Sequence, residues 1–395
     1  MRRLIGSRII VVVAAGALAA CSGASLMASA PQSAGPANSA PGVRSKHAVG
    51  LGKVLTSKDN TQIFGFAVAQ DGPDGILSTA THVETFDQSD GAFVQQFPAK
   101  TPSNIEFSLD GLVAGDVALV TRYVTPPHSI YATRRYDTIA PFTSGKFTGT
   151  WTPPIFDVNV EQTSVDPASN NAAIFAIKLK RNDVPVLFVT DVGANTFSNV
   201  IDLDPNAFAL GAQPQLASYV VGGKALLATS PDFGRVGGTE PVNVLVDLAT
   251  KKVTQFTGFN LGPFGAGFVN GMAADPNTAV EATTTELNAQ VEFYDVSTQT
   301  GITAVQLPCT GDADQSNSGA GVAVDPTHKL FLVTDPDYAC DGTGAVVVYD
   351  EKGNEIEAIT GFRLAIGEPP PAIDPATRTG WAFGPGFNQL QQFFY

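Results

Sequence analysis

Five aspartates and two cysteines are spaced so that they can act together. Asp312 and Asp314 stand two apart, Asp335, Asp337 and Asp341 follow in one short stretch, and Cys309 and Cys340 lie close to the two groups. Carboxylates gathered from two loops offer hard oxygen ligands to calcium or another divalent metal. The run Asp312-Ala313-Asp314-Gln315-Ser316 begins like a calcium loop. However, Asn317 occupies the place of the sharp-turn glycine, and no glutamate follows at the twelfth position. The same acids equally suit solvated loops in a chain of net charge −14. The cysteines lack neighbouring histidines, so the usual zinc pattern is absent. His47, His82, His128 and His328 are scattered, with no two at ligand spacing. A Gly-x-Ser-x-Gly elbow, a phosphate-binding loop and a dinucleotide fingerprint are all missing, which disfavours acyl-serine and nucleotide chemistry.

The elements that hold these residues must be strands. Of 395 residues only 15% are charged and 39 are glycine, a poor composition for coiled coils, charge-patterned helices or disorder. Acids outnumber bases 37 to 23, so binding to nucleic acid through its phosphates is excluded as a main function. Arg2, Arg3 and Arg8 precede an apolar run from Ile9 to Ala20, which reads as a signal segment (residues 1–20) too short to span a membrane. Leu18-Ala19-Ala20-Cys21 resembles the bacterial lipobox, which implies lipidation of Cys21 by diacylglycerol and palmitate after export. Residues 21–41 are mostly Ser, Ala, Gly and Pro and read as a flexible tether. The resemblance implies a membrane partner for the N-terminus and a place in the cell envelope. Ser22 is not the aspartate that retains many lipoproteins at the inner membrane, so the outer membrane or cell surface is favoured.

Residues 42–395 carry two ladders at one period. Turn pairs recur at Asp59-Asn60, Asp110-Gly111, Asp166-Pro167, Gly222-Gly223, Asp275-Pro276, Asp325-Pro326 and Asp374-Pro375, about 50 residues apart. A second ladder of acids, Asp87, Asp137, Asp191, Asp247, Asp295 and Asp350, ends apolar runs. One unit reads as four strands: Gly321–Val324, Lys329–Thr334, Ala345–Tyr349 and Glu355–Thr360. Four strands per repeat and seven rungs predict an all-β, seven-bladed β-propeller. The last rung leaves room for about three strands, and Gly42–Val49, just before the first inner strand, is the expected donor of the fourth. The N- and C-terminal segments would then close the ring together and remove its open edges. Trp151, Trp381 and Phe393-Phe394-Tyr395 read as blade-packing aromatics, and His82 as a structural residue of a third strand.

Leu330-Phe331-Leu332-Val333-Thr334-Asp335 and Leu187-Phe188-Val189-Thr190-Asp191, each after a Val-Asp-Pro turn, resemble the YVTN and NHL class of propellers. That class includes binding proteins, lactonases and surface scaffolds, so the resemblance implies fold more than activity. In a propeller the acidic loops and both late cysteines lie on the face carrying the connections between blades. With Cys21 lipidated, Cys309 and Cys340 are the remaining pair, and an oxidising compartment predicts a disulfide between them. Aligning the inner strands on the first ladder places Glu106, Glu161, Asn270 and Glu368 toward the channel mouth. Gluconolactonase-type propellers are similar in holding a divalent metal with Glu, Asn and Asp residues there, which implies a metal-dependent hydrolase as the alternative function. Water-binding polar residues at the channel end are the other reading of that set. The leading expectation is a binding or scaffold lipoprotein whose acidic upper face holds a protein, a glycan or another small ligand.

Overall fold

β-Branched and aromatic runs between turn signals favour strands, and strands are the only regular elements among the described residues. The computed structural model describes residues 48–68, 74–79, 82–98, 107–108, 117–124, 136–143, 146–147, 158–166, 171–178, 184–191, 196–202, 217–221, 224–229, 242–247, 249–257, 269–285, 290–308, 321–363 and 370–395, and among them there is no helix. The signal, the tether and residues 42–47 lie outside this set.

The strands form seven antiparallel four-stranded sheets. β1 (Gly50–Thr56) comes first in the chain but belongs to the last sheet. The first sheet is β2–β5 (Ile63–Val68, Asp74–Thr79, His82–Asp87, Phe93–Pro98) and the second β6–β9 (Phe107–Ser108, Val117–Val124, Tyr136–Thr143, Lys146–Phe147). The third is β10–β13 (Val158–Asp166, Asn171–Lys178, Val184–Asp191, Thr196–Asp202) and the fourth β14–β17 (Ala217–Val221, Lys224–Thr229, Val242–Asp247, Val253–Thr257). The fifth is β18–β21 (Val269–Ala274, Val280–Thr285, Gln290–Asp295, Thr300–Gln306) and the sixth β22–β25 (Val322–Asp325, Leu330–Asp335, Gly344–Asp350, Glu355–Phe362). The seventh holds β26–β28 (Ala372–Asp374, Thr379–Phe383, Gln389–Phe394), with β1 added beyond β28. First strands of successive sheets touch: β10 and β14, β14 and β18, β18 and β22, β22 and β26, β26 and β2, and β2 and β6.

The two ladders have a common physical cause. At Asp275, Asp325 and Asp374, which end first strands or follow them directly, Oδ1 accepts the N–H two residues on, from Asn277 (2.7 Å), Thr327 (2.9 Å) and Ala376 (2.9 Å). At the ends of third strands Asp87, Asp247, Asp295 and Asp350 accept in the same way from Ser89, Ala249, Ser297 and Lys352. An aspartate carboxylate accepts a hydrogen bond from the N–H two residues on and so caps its own turn, more strongly than a serine or threonine hydroxyl would. In six of these seven turns the residue four places after the aspartate is left-handed: Ala279, Lys329, Arg378, Gly91, Lys251 and Gln299. In the seventh, Gly353 takes that conformation three places after Asp350.

Three expectations require correction. Asp59-Asn60 is not a turn within a sheet; it joins β1 of the seventh sheet to β2 of the first. The strand that completes the seventh sheet is Gly50–Thr56 rather than 42–49, and the first strand of the first sheet follows at Ile63. Asp137 is the second residue of β8 rather than its end. Apolar content alone does not distinguish an outer strand from an inner one, and that is the reason for the slip at Asp59.

Side chains fill the seams between sheets. Phe331, Val333, Val347 and Tyr349 of the sixth sheet pack on Ala282, Val291 and Phe293 of the fifth. The opposite face of the same strands, Leu332, Val346 and Val348, packs with Ile373, Ala382 and Phe393 of the seventh. Burial on both faces explains why β24 is an unbroken apolar run. Tyr395 enters this second seam, and its hydroxyl donates to Asp325 Oδ2 at 3.1 Å. The seventh and first sheets meet around Trp381, Phe383, Phe66 and Phe86.

Two glycines are covered by cross-strand rings. Gly75 lies opposite Phe86 and Gly380 opposite Phe393, and a Cβ on either glycine would stand 2.2 Å from the ring. Gly75→Ala and Gly380→Ala should each lower the free energy of unfolding by about 1–3 kcal/mol, the usual cost of overpacking. Urea titration of each variant against the parent measures it; unchanged midpoints would contradict the ring-on-glycine packing.

Candidate functional site

The acids singled out above divide sharply by environment. Asp335 ends β23 and is fully buried; its Oδ1 accepts the Asp337 N–H at 3.1 Å, while Oδ2 has no hydrogen-bond partner. Burial pushes its carboxyl up to about 6, against the pull of the Asp337 N–H, and the charges of Asp337 and Glu355 raise it further. Asp337 Oδ1 accepts from the Gly342 N–H at 2.6 Å and Asp341 Oδ1 from the Thr343 N–H at 2.9 Å, so both carboxylates brace their own loop. That loop is tight, with left-handed Cys340 and Gly342 and a bond from the Ala339 N–H to the Thr343 carbonyl. Tyr338 caps its side by donating from its hydroxyl to Glu355 Oε1 at 2.9 Å, and burial and that carboxylate push its phenol up to about 12. Asp335, Asp337 and Glu355 therefore sit close together beside a phenol, whereas Asp341 faces its own backbone. Asp312, Asp314 and Cys309 lie outside the described residues, as do Cys21, Glu106 and Glu368. No three His, Cys, Asp or Glu side chains among the described residues converge as a metal-binding group.

Glu161 and Asn270 lie on β10 and β18, the first strands of the third and fifth sheets. Each falls at a break in register with its neighbour strand, between Val160 and Gln162 and between Val269 and Gly271. A third break, between Ile63 and Gly65, lies near the start of β2. Bulges of this kind re-aim a residue relative to the regular pleat.

Sequence reasoning missed a second polar group at the same end of the first sheet. His82 begins β4, a third strand as expected, and its Nδ1 lies 3.0 Å from Asp59 Oδ2. Gln96 Nε2 donates to that same Asp59 oxygen at 2.8 Å and to Glu84 Oε1 at 3.2 Å, and Glu84 Oε2 accepts the Lys58 N–H at 2.8 Å. The residues come from a connection and two strands, so no linear spacing reveals them.

It also missed a buried pair in the fifth sheet. Glu281 on β19 and Glu292 on β20 are pushed by burial up to about 8 and about 7, against the hydrogen bonds from Thr283 and Tyr294. Their positions alternate with apolar residues and resemble an ordinary solvent-facing pattern.

The perturbed carboxyl of Asp335 has a direct consequence. Its folded value lies above the ordinary 3.8, so the folded state binds the proton more tightly than the unfolded chain. The resulting stability is complete below about pH 4 and is lost as pH rises through about 6, a change of about 3 kcal/mol at most. Asp335→Asn should remove this slope, so the difference in melting temperature between variant and parent should grow in the variant's favour from pH 4 to 7. A constant difference would contradict the buried, orphaned carboxyl.

No protein-family model matches the chain, and no curated protein matches it significantly. Any function must be argued from the site itself.

Proposed function

We propose that the chain is a lipid-anchored, seven-bladed β-propeller of the cell envelope that serves as a binding module through the acidic end of its sheets. Three features support the architecture: the four-stranded sheets, the succession of touching first strands, and β1 completing the seventh sheet. The observation that carries the binding role is the cluster of Asp335, Asp337, Tyr338 and Glu355. It sets a buried carboxyl with an orphaned oxygen beside two further acids, at the end of the sixth sheet where strands two and three connect. A cluster of this sort attracts cationic and hydrogen-bond-donating groups, and the net charge of −14 steers them toward it. Lysine- and arginine-bearing protein segments are the ligand class with matching chemistry. Cys21 supplies the anchor, and a disulfide between Cys309 and Cys340 staples the segment that carries Asp337.

Calorimetric titration of the full chain in detergent with a lysine-rich peptide tests this reading. Salt-sensitive binding that weakens at least tenfold in Asp335→Asn/Glu355→Gln supports it; equal binding by parent and variant overturns it. Radiolabelled palmitate should enter the parent and not Cys21→Ala.

The register breaks at Glu161 and Asn270 favour one second reading, a metal-dependent hydrolase acting on lactones at the inner strands. There a divalent metal would polarise the carbonyl and activate water. Lactone turnover lost in Glu161→Ala, with Asp335→Asn unaffected, would select it over the binding module.

A further inference from the structure

The two central strands of the fifth sheet carry opposite chemistry on their two faces. One face presents Ala282, Val291 and Phe293 to the apolar seam with the sixth sheet. The other places Glu281 opposite Tyr294 and Thr283 opposite Glu292, a square of four polar residues, each at most 4% exposed. Thr283 Oγ1 donates to Glu281 Oε1 at 2.6 Å, and the Tyr294 hydroxyl donates to Glu292 Oε2. One oxygen of each carboxyl is thereby fixed. The other two, Glu281 Oε2 and Glu292 Oε1, are buried and make no hydrogen bond, to each other or to anything else.

A buried carboxyl without a partner is costly, and two near one another are worse, because each charge opposes the other. Such a pair can be relieved by a basic side chain, by a proton on each carboxyl, as values of about 8 and about 7 describe without a metal, by a shared proton, or by a cation that displaces those protons. Among the described residues no basic side chain acts on either group; the influences there are burial, Thr283, Tyr294 and the charge of Glu292 on Glu281. A directly shared proton requires the two oxygens to be hydrogen-bonded, and they are not. A cation between them needs only that both free oxygens approach it, at roughly 2.3–2.6 Å for calcium.

We infer that Glu281 and Glu292 hold one divalent, oxygen-seeking cation of the calcium class inside the fifth sheet, with Thr283 and Tyr294 orienting the two carboxylates. Two carboxylates balance the charge of one such ion, and the all-oxygen donor set suits calcium, magnesium or manganese over zinc or copper. This inference stands apart from the acidic end of the sheets and does not depend on it.

The experiment uses the full chain, stripped with chelator and titrated with calcium chloride by calorimetry, with melting temperature read in parallel. One calcium per chain and a rise in melting temperature of several degrees are expected. Glu281→Gln/Glu292→Gln should lose both effects while folding normally, because the neutral amides keep the size of the acids and remove their charge. Asp337→Asn/Asp341→Asn should retain both. Three outcomes overturn the inference: no metal bound by the parent, binding that survives in the glutamine pair, or binding lost in the Asp337 and Asp341 variant instead. The same titration with magnesium and manganese ranks the ion.

Discussion

A chain that starts at Ser57 and so lacks β1 should lose about 5 kcal/mol or more of stability and expose the edge of its seventh sheet. β1 pairs with β28 from Gly50 opposite Phe394 to Thr56 opposite Gln389. The Gln391 side chain donates to the carbonyls of Gly52 (3.0 Å) and Lys53 (3.2 Å), and the Lys53 N–H reaches Gln392 Oε1. Leu55 is buried with Leu390 and Trp381. Burying one leucine contributes about 2 kcal/mol, and each hydrogen bond about 1 kcal/mol. The bared edge of β28 would then present unpaired backbone to other chains. Urea unfolding and light scattering measure both effects. A peptide spanning Val49–Lys58, added in trans, should restore the midpoint and suppress scattering. A truncated chain that unfolds like the parent and stays monomeric would refute the role of β1.

Trp381→Ala should cost about 3–5 kcal/mol, the range for deleting a large buried aromatic. Trp381 is fully buried, stacks edge-on to Phe86 at 5.3 Å between centroids, and donates from Nε1 to the Gln88 carbonyl at 3.1 Å. It thus ties the seventh sheet to the first. Trp381→Phe separates packing from hydrogen bonding. The Gln88 carbonyl keeps a second donor, Gln392 Nε2 at 3.0 Å, so no orphaned acceptor is left behind and the loss should be much smaller. Chemical denaturation of both variants measures the difference. Equal losses would mean that the hydrogen bond, rather than the ring, holds the seam.

Much of the fold was written in local chemistry. An aspartate that caps its own turn must stand at a fixed place in each unit, so Asp275, Asp325 and Asp374 mark first-strand ends, and Asp87, Asp247, Asp295 and Asp350 third-strand ends. The strands expected around Leu330 and Ala345 fall within a residue or two of β23 and β24. The assignment of Asp59 failed because that aspartate serves a connection between sheets and its side chain faces His82. The site was harder to read. Alternating patterns such as Val280-Glu281-Ala282-Thr283 normally place polar residues in water, but β19 is covered on both faces. Only the third dimension tells that Glu281 and Glu292 are buried, or that Gln96 joins Asp59 to Glu84.

The pairing of β1 with β28 joins residues more than 330 positions apart in the chain, 339 between Lys53 and Gln392. At roughly 5–20 residues per second, a ribosome needs on the order of half a minute to make the intervening chain. Throughout that interval the first strand has no partner, and its exposed Leu51 and Val54 are open to any sticky surface nearby. The molecule is therefore most vulnerable at its beginning and safest only at its last strand. Its yield in a cell should depend more on how well that waiting strand is shielded than on the stability of the finished fold.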